Sequence, residues 1–296
     1  DVSADYAEAV AVLNGMDVFK GYEDGSFKPQ GNITRAEVAT IIYRIYTGDV
    51  AKNDKSGLYS TYNKFSDMTG AGWAAGYIGY CANAELVKGY PDGTFKPSGN
   101  VTGYEVLAMI LRAVGYDKNG EFSGADWSLN VAKYAEQLGV LKNVAKTTNL
   151  GAPATRELVA EILFRAIQQP TVTYTPAFGY VTDKALKLDE TTLGKKNFNL
   201  DSKDSEDEWG RPSTKWYNTK TSKTYAEVVA TPDASYNVAT AQCDICSDLG
   251  EKTSAKIVET YTNGVKSTTA ETYKATATKA MVGAQGEQIE FYEVKD

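Results

Sequence analysis

The chain has 296 residues, 42% of them hydrophobic, and a formal net charge of −7. That is ample for one or two packed domains, and the acidic balance argues against nucleic acid, whose binders are usually basic. Histidine is absent and cysteine occurs three times, which removes the commonest general base and metal ligand; no run approaches the ~18 apolar residues of a membrane span.

The chain opens on an aromatic-led helix with Tyr6, Val10 and Leu13 at helical spacing. GYEDGSFKPQGNITRAE, Gly21 to Glu37, follows. Its glycines, with Asp24 and Pro29, make a turn-dense loop that cannot be a helix or a regular strand. Thr34 and Glu37 then form a capping box, and Val38, Ile41, Ile42 and Ile45 fall on one helical face. Arg35 sits in the first turn, where the macrodipole disfavours a cation by roughly 0.3–1 kcal/mol. An anion placed there would be held by the guanidinium fork and by free N–H groups of the helix end. The alternative is a local ion pair, Arg35 with Glu37 and, in the third copy below, Arg156 with Glu157, or a solvated face.

Gly48 to Asn63 is polar and rich in small residues, and reads as a linker or surface excursion. Phe65, Ser66 and Asp67 then lead a helix from about Trp73 to Ala84, with Trp73, Tyr77, Tyr80, Cys81 and Ala84 at helical spacing. Cys81 reads as a small core residue. The loop now recurs as GYPDGTFKPSGNVTGYE, Gly89 to Glu105, differing over its first twelve positions only at Pro91, Thr94 and Ser98. Thr102 and Glu105 repeat the capping box, and Val106, Met109, Ile110 and Ala113 repeat the apolar face, but Gly103 stands where Arg35 stood. Asp24 and Asp92 are one acid per loop, too few for calcium, and read as holding their own turns.

A degenerate third copy closes the series. Trp127, Val131, Tyr134, Ala135 and Leu138 form its leading helix, and TRELVAEILFRAI, Thr155 to Ile167, repeats TRAEVATIIYRI. Arg156 takes the place of Arg35, Leu158 replaces the capping glutamate, and Arg44, Arg112 and Arg165 recur in register. One unit is used three times, each copy burying against its neighbours what it cannot bury alone.

The GYxDGxFKP loop followed by [IV]T[RG]xE and an apolar helix resembles the S-layer homology (SLH) domain, over roughly Asp1 to Gln169. The resemblance implies a pseudo-threefold, all-α domain of three SLH repeats that anchors an extracellular protein non-covalently to the wall of a Gram-positive bacterium. Its inter-repeat grooves would bind secondary cell wall polysaccharide attached to peptidoglycan, typically bearing pyruvate ketals. It implies Arg35 and Arg156 as ligands for the carboxylate. Trp73 and Trp127 would be groove walls against sugar, as would Tyr6, which stands where the family has tryptophan; the bland reading of such aromatics is core. Gly103 departs from the pattern, so its groove lacks the cation or takes one from a neighbouring prong. The opening DVSADYAEAV aligns with the middle of the family's FxD motif, compare Phe65 to Asp67, so a processed or truncated form is expected, with any export signal lost upstream.

After Gln169, Pro170 ends the helix and short alternating runs such as KIVETY and QIEFYEV read as strands, with Asn263-Gly264 as a hairpin signal. The expected organisation is α+β and multidomain: repeat 1 with its linker at 1–63, repeat 2 at 64–116, repeat 3 at 117–169, and a small mainly-β surface module at 170–296. The acidic run DSKDSEDE, Asp201 to Glu208, reads as a solvated loop. Cys243 and Cys246 form a lone CDIC, better as a local disulfide or packed thiols than as a zinc site. Glu208 to Asp233 resembles segments that follow SLH repeats in surface proteins of clostridia-like bacteria, and carries no activity with it. No cofactor, no metal and no catalysis are expected. Two further functions stay open: self-association of the β module into an S-layer or fibre through its strand edges, and a glycan hydrolase, for which the pattern singles out no pair of carboxylates.

Overall fold

A computed structural model describes residues 2–51, 54–62, 64–187, 191–206 and 212–229, and short strands between 256 and 294. Six helices carry the first part: α1 Ala7–Gly15, α2 Arg35–Thr47, α3 Ala75–Asn83, α4 Gly103–Val114, α5 Trp127–Gln137 and α6 Arg156–Ala166. Capping sets where α2 and α4 begin, since both boxes are complete, Thr34 with Glu37 and Thr102 with Glu105. α6 retains more of its cap than the loss of the glutamate led one to expect, because Thr155 still accepts from the Leu158 N–H. The loops are held as expected: Asp24 accepts from Ser26, and Asp92 from Thr94, through both backbone N–H and hydroxyl.

Packing joins consecutive copies and then closes on itself. α3 lies on α2, α5 on α4, and α1 on α6, so each loop-following helix receives the leading helix of the next copy and the last receives the first. Where α2, α4 and α6 begin, three equivalent residues bond in a ring. The Ile33 N–H donates to Ala154 O (3.3 Å), the Ala154 N–H to Val101 O (2.8 Å), and the Val101 N–H to Ile33 O (3.0 Å). The buried faces of α2 and α4 are those read from the sequence, with Val38, Ile41, Ile42, Ile45, Val106, Met109, Ile110 and Ala113 all in the core, as is Cys81.

The Gly48 to Asn63 segment is more than a linker. A 3-10 turn at Lys55–Tyr59 packs on α3, with Ser56 buried. The reason is a pair of glycines one helical turn apart: a Cβ on Gly76 would stand 2.3 Å from Ser56 O, and one on Gly79 2.3 Å from Tyr59 O. Backbone approaches that close exclude any side chain.

The helical unit also runs past the expected boundary at Gln169. It spans Asp1–Asp201 and takes in Trp216–Ala226. Long-range contacts within this unit explain the extension. Asn197, in the short α7 (Leu193–Phe198), donates to the carbonyls of Ile45 and Tyr46. Trp216 is buried edge-on against Phe164, with its indole N–H on Glu8 (2.9 Å). The hairpin β1 Val172–Thr175 and β2 Gly179–Thr182 brings the Tyr180 hydroxyl to Glu121 (2.7 Å).

The second unit comprises Ser202–Lys215 and Glu227–Asp296. Strands β3 Leu200–Glu206, β4 Pro212–Asn218 and β5 Thr224–Val229 form a three-stranded sheet. Most of the acidic run is therefore strand, not loop, because β3 pairs along β4. In the far part, β6 Lys256–Thr262 pairs antiparallel with β7 Val265–Lys266 and β8 Glu271–Tyr273, and parallel with β9 Tyr292–Val294. Asn263-Gly264, Cys243, Cys246 and most of the strand edges on which self-association was expected to rest lie outside the described residues.

Candidate functional site: clefts between the repeats

Arg35 leaves the first turn of α2 and enters the second loop. Its Nε donates to Phe95 O (2.8 Å), Nη2 donates to Lys88 O (3.1 Å), and Nη1 stands 3.0 Å from Glu105 Oε1. The rings of Tyr90 and Phe95 each lie 4.6 Å from the guanidinium, and the side chain is 3% exposed. Two expectations change. The local pair with Glu37 is not made, because the side chain is drawn across to the next copy. The helix end offers no free donors either: the Arg35 N–H donates to Gly99 O and the Ala36 N–H to Pro97 O, so the second loop caps α2. Glu105 is shared three ways, accepting from the Thr102 N–H as helix cap, from the Tyr90 hydroxyl (2.6 Å), and pairing with Arg35. Burial and the bond to Glu105 push the Tyr90 phenol up to about 12.

Arg156 repeats this against the first loop. Nε donates to Phe27 O and Nη2 to Lys20 O, the fork lies over Phe19, Tyr22 and Phe27, and Nη1 stands 3.6 Å from Glu37 Oε1. Its expected local partner Glu157 instead accepts from the Ser3 N–H and from Gln30. Burial pulls the Arg156 guanidinium down from its ordinary value. At the third junction both ends of the pair are gone. Gly103 replaces the arginine and Leu158 the glutamate, and Leu150 fills the space: a Cβ on Gly103 would sit 2.8 Å from its Cδ2.

An open cleft of about 410 Å³ lies between the first two copies and the start of α5, lined by Arg35, Lys88, Tyr90, Glu105, Arg112 and Trp127 among others. Of the residues singled out from sequence, it brings together Arg35 and Trp127. Trp127 is half-buried beside Tyr104, whereas Trp73 is 66% exposed against Tyr77, which rules out the core reading for that ring. Tyr6 is half-buried, its phenol raised by burial and then by Glu161 and Glu157. Arg156, Trp73, Tyr6 and Gly103 do not line this cleft.

Sequence reasoning missed Lys88 and Asp117. Asp117 Oδ2 takes Arg112 Nε at 2.6 Å and Lys88 Nζ at 2.9 Å, and Oδ1 accepts from the Phe122 N–H. Burial pushes the Asp117 carboxyl up, but these three bonds more than offset it and hold it below its ordinary value. The available signal was the lysine before each loop, Lys20, Lys88 and Lys142.

Glu161, in α6 at the register of Ala108 in α4, is wholly buried against α1. Its Oε1 accepts from Arg165 Nε (2.7 Å), Oε2 has no hydrogen-bond partner, and burial pushes the carboxyl up despite Arg165, which it shares with Glu8. A folded-state pKa above the unfolded one contributes stability below the unfolded value, lost as pH rises through the folded value. Glu161→Gln should therefore raise stability at pH 7 by about 1 kcal/mol, a melting-point gain of roughly 2–4 °C. The gain should vanish near pH 4, and destabilisation at pH 7 would overturn this account of Glu161.

The family model for the S-layer homology domain matches residues 1–39 and 64–107. These two segments are S-layer homology domains. It is 29% identical over 167 residues to the "Middle cell wall protein" of Brevibacillus brevis, covering 56% of this chain and 15% of that protein. It is 42% identical over 93 residues to the "Cellulosome-anchoring protein" of Acetivibrio thermocellus (31% and 20%). It is also 31% identical over 99 residues to "Endo-1,4-beta-xylanase A" of Thermoanaerobacterium saccharolyticum (31% and 8%). The chain thus spans a fifth or less of the length of these relatives. The S-layer homology domains and the surface-protein relatives indicate a cell-surface or cell-wall location. Among the described residues no helix is long and apolar enough to cross a membrane, and no three His, Cys, Asp or Glu side chains gather as a metal site.

Proposed function

We propose that this chain anchors a surface protein to the cell wall by holding secondary cell wall polysaccharide, a pyruvylated or otherwise anionic glycan, in grooves between three S-layer homology repeats. The repeats are assigned to 1–63, 64–116 and 117–169 in a pseudo-threefold arrangement; of the surface module expected at 170–296, the part up to Asp201 and Trp216–Ala226 belongs to the helical unit. The ring of bonds through Ile33, Val101 and Ala154 and the closure of α1 on α6 support that arrangement. The observation that carries the functional reading is the cleft itself. Three cations, Arg35, Lys88 and Arg112, meet two carboxylates, Glu105 and Asp117, in a cleft that Trp127 also lines. A low-dielectric wall with surplus positive charge favours an anion, and an aromatic face suits the apolar side of a sugar.

In this reading Arg35 with Trp127 serves one groove and Arg156 with Trp73 a second. Tyr6 and Gly103 belong to a third that lacks the pair. Several grooves on one repeating polymer raise avidity without any being tight. Arginine sandwiches and shared carboxylates bind and position; the role proposed is anchoring, not catalysis. The full chain should sediment with purified Gram-positive sacculi that retain their secondary polymer, and lose that binding after acid strips the polymer. Equal binding to stripped sacculi would overturn the reading.

A further inference from the structure

We propose that Trp216–Ala226, downstream of the repeats, is a strap that locks the helical unit by pinning α1 onto α6, so that the first repeat is held in place only once the chain has been made as far as Ala226. The segment grips α1 at both ends. Near the start, the Trp216 indole N–H donates to Glu8 in the first turn (2.9 Å), while its ring packs against Phe164 of α6. At the far end, Lys223 Nζ donates to Gly15 O (3.2 Å) and stands 3.6 Å from Asp17, which places a cation on the carbonyl end of the helix. The backbones also touch there. A Cβ on Gly15 would stand 1.8 Å from Tyr225 O, so only glycine admits the strap.

The strap is rooted on other helices. Asn218 Nδ2 and the Tyr225 hydroxyl both donate to Phe198 O, and the Thr219 N–H donates to Asn199 O, at the end of α7. α7 in turn holds the end of α2 through Asn197, and its Gly194 N–H donates to Ile167 O just past α6. α1 is thereby tied to α2 and α6 by a route separate from its own packing. The other two junctions have covers from chain adjoining their repeats: the Lys55–Tyr59 turn on α3, and Tyr180 of β2 on Tyr116 and on Tyr134 of α5. The cover of α1 comes instead from 208 residues along the chain. It serves a junction weakened by a buried carboxylate, since Glu161 Oε2 has no hydrogen-bond partner and Arg165 is shared between Glu161 and Glu8. Phe19 and Lys20, which receive Arg156, lie just past α1, so the strap also steadies the loop that holds that arginine.

Hydrogen exchange of the full chain, followed segment by segment, tests the strap, with the amides of α3 and α5 as internal references. Trp216→Ala should speed exchange of the α1 amides about tenfold or more relative to those references. Gly15→Ala is the sharper variant. Alanine is the better helix former, so propensity alone would slow exchange in α1, whereas exclusion of Tyr225 should speed it about tenfold. Thermal melts establish that each variant is folded; should neither fold, Lys223→Met, a change at an exposed side chain, carries the same expectation at about threefold. The proposal is overturned if the α1 amides of the folded variants keep their wild-type rates relative to α3 and α5, or if α1 exchanges more slowly in Gly15→Ala.

Discussion

Arg35→Ala should cost the helical unit about 3–5 kcal/mol, the usual penalty for removing one member of a buried pair. The loss has three parts. Glu105 is left without its cation in a site where it is 13% exposed, the carbonyls of Phe95 and Lys88 lose their donors, and the rings of Tyr90 and Phe95 face a void. Arg35→Lys should recover little, since an ammonium cannot reach two carbonyls and a carboxylate in one plane. Denaturant unfolding of Arg35→Ala, Glu105→Ala and the double variant measures the coupling, which should exceed about 1 kcal/mol for residues in direct contact. A single-variant loss below about 1 kcal/mol would show that the pair does not join the first two copies.

Gly103→Arg should destabilise the protein by about 2–4 kcal/mol instead of building a third clamp. The position has no room: Leu150 Cδ2 lies 2.8 Å from where a Cβ would stand, and overpacking a filled core costs on this scale. An arginine there would also find no carboxylate, because Leu158 occupies the place that Glu105 and Glu37 hold at the other two junctions. Adding Leu158→Glu, and Leu150→Pro to match Pro97 of the second loop, should return about 1–2 kcal/mol relative to Gly103→Arg alone, because Leu150→Pro clears the side chain that Gly103 meets and Leu158→Glu supplies the missing carboxylate. Additive losses across the three changes, measured by thermal or urea unfolding, would show that the junctions are not equivalent.

The two predictions rest on one pattern: the arginine of each copy pairs with the capping glutamate of the next, and where one is missing the other is missing too. Both residues were visible in the sequence. Their pairing was not, because Arg35 and Glu105 lie in different copies and nearest-neighbour logic pointed to Glu37, a partner on the same helix. The exposed Trp73 and half-buried Trp127 illustrate the same gap. Each leads its helix at the same register, but Trp127 packs beside Tyr104 while Trp73 stays in solvent against Tyr77.

The sequence alone determined what chemistry within a few residues decides. The turns of both loops, the two capping boxes and the buried faces of α2 and α4 follow from glycine torsions, side-chain reach and the helical repeat. Only the tertiary structure decided what depends on which segment docks where. Gly76 and Gly79 admit the Lys55–Tyr59 turn, Trp216 and Asn197 extend the helical unit past Gln169, and Lys88 joins Arg112 on one aspartate. Such contacts join residues distant in the chain, and no local spacing encodes them.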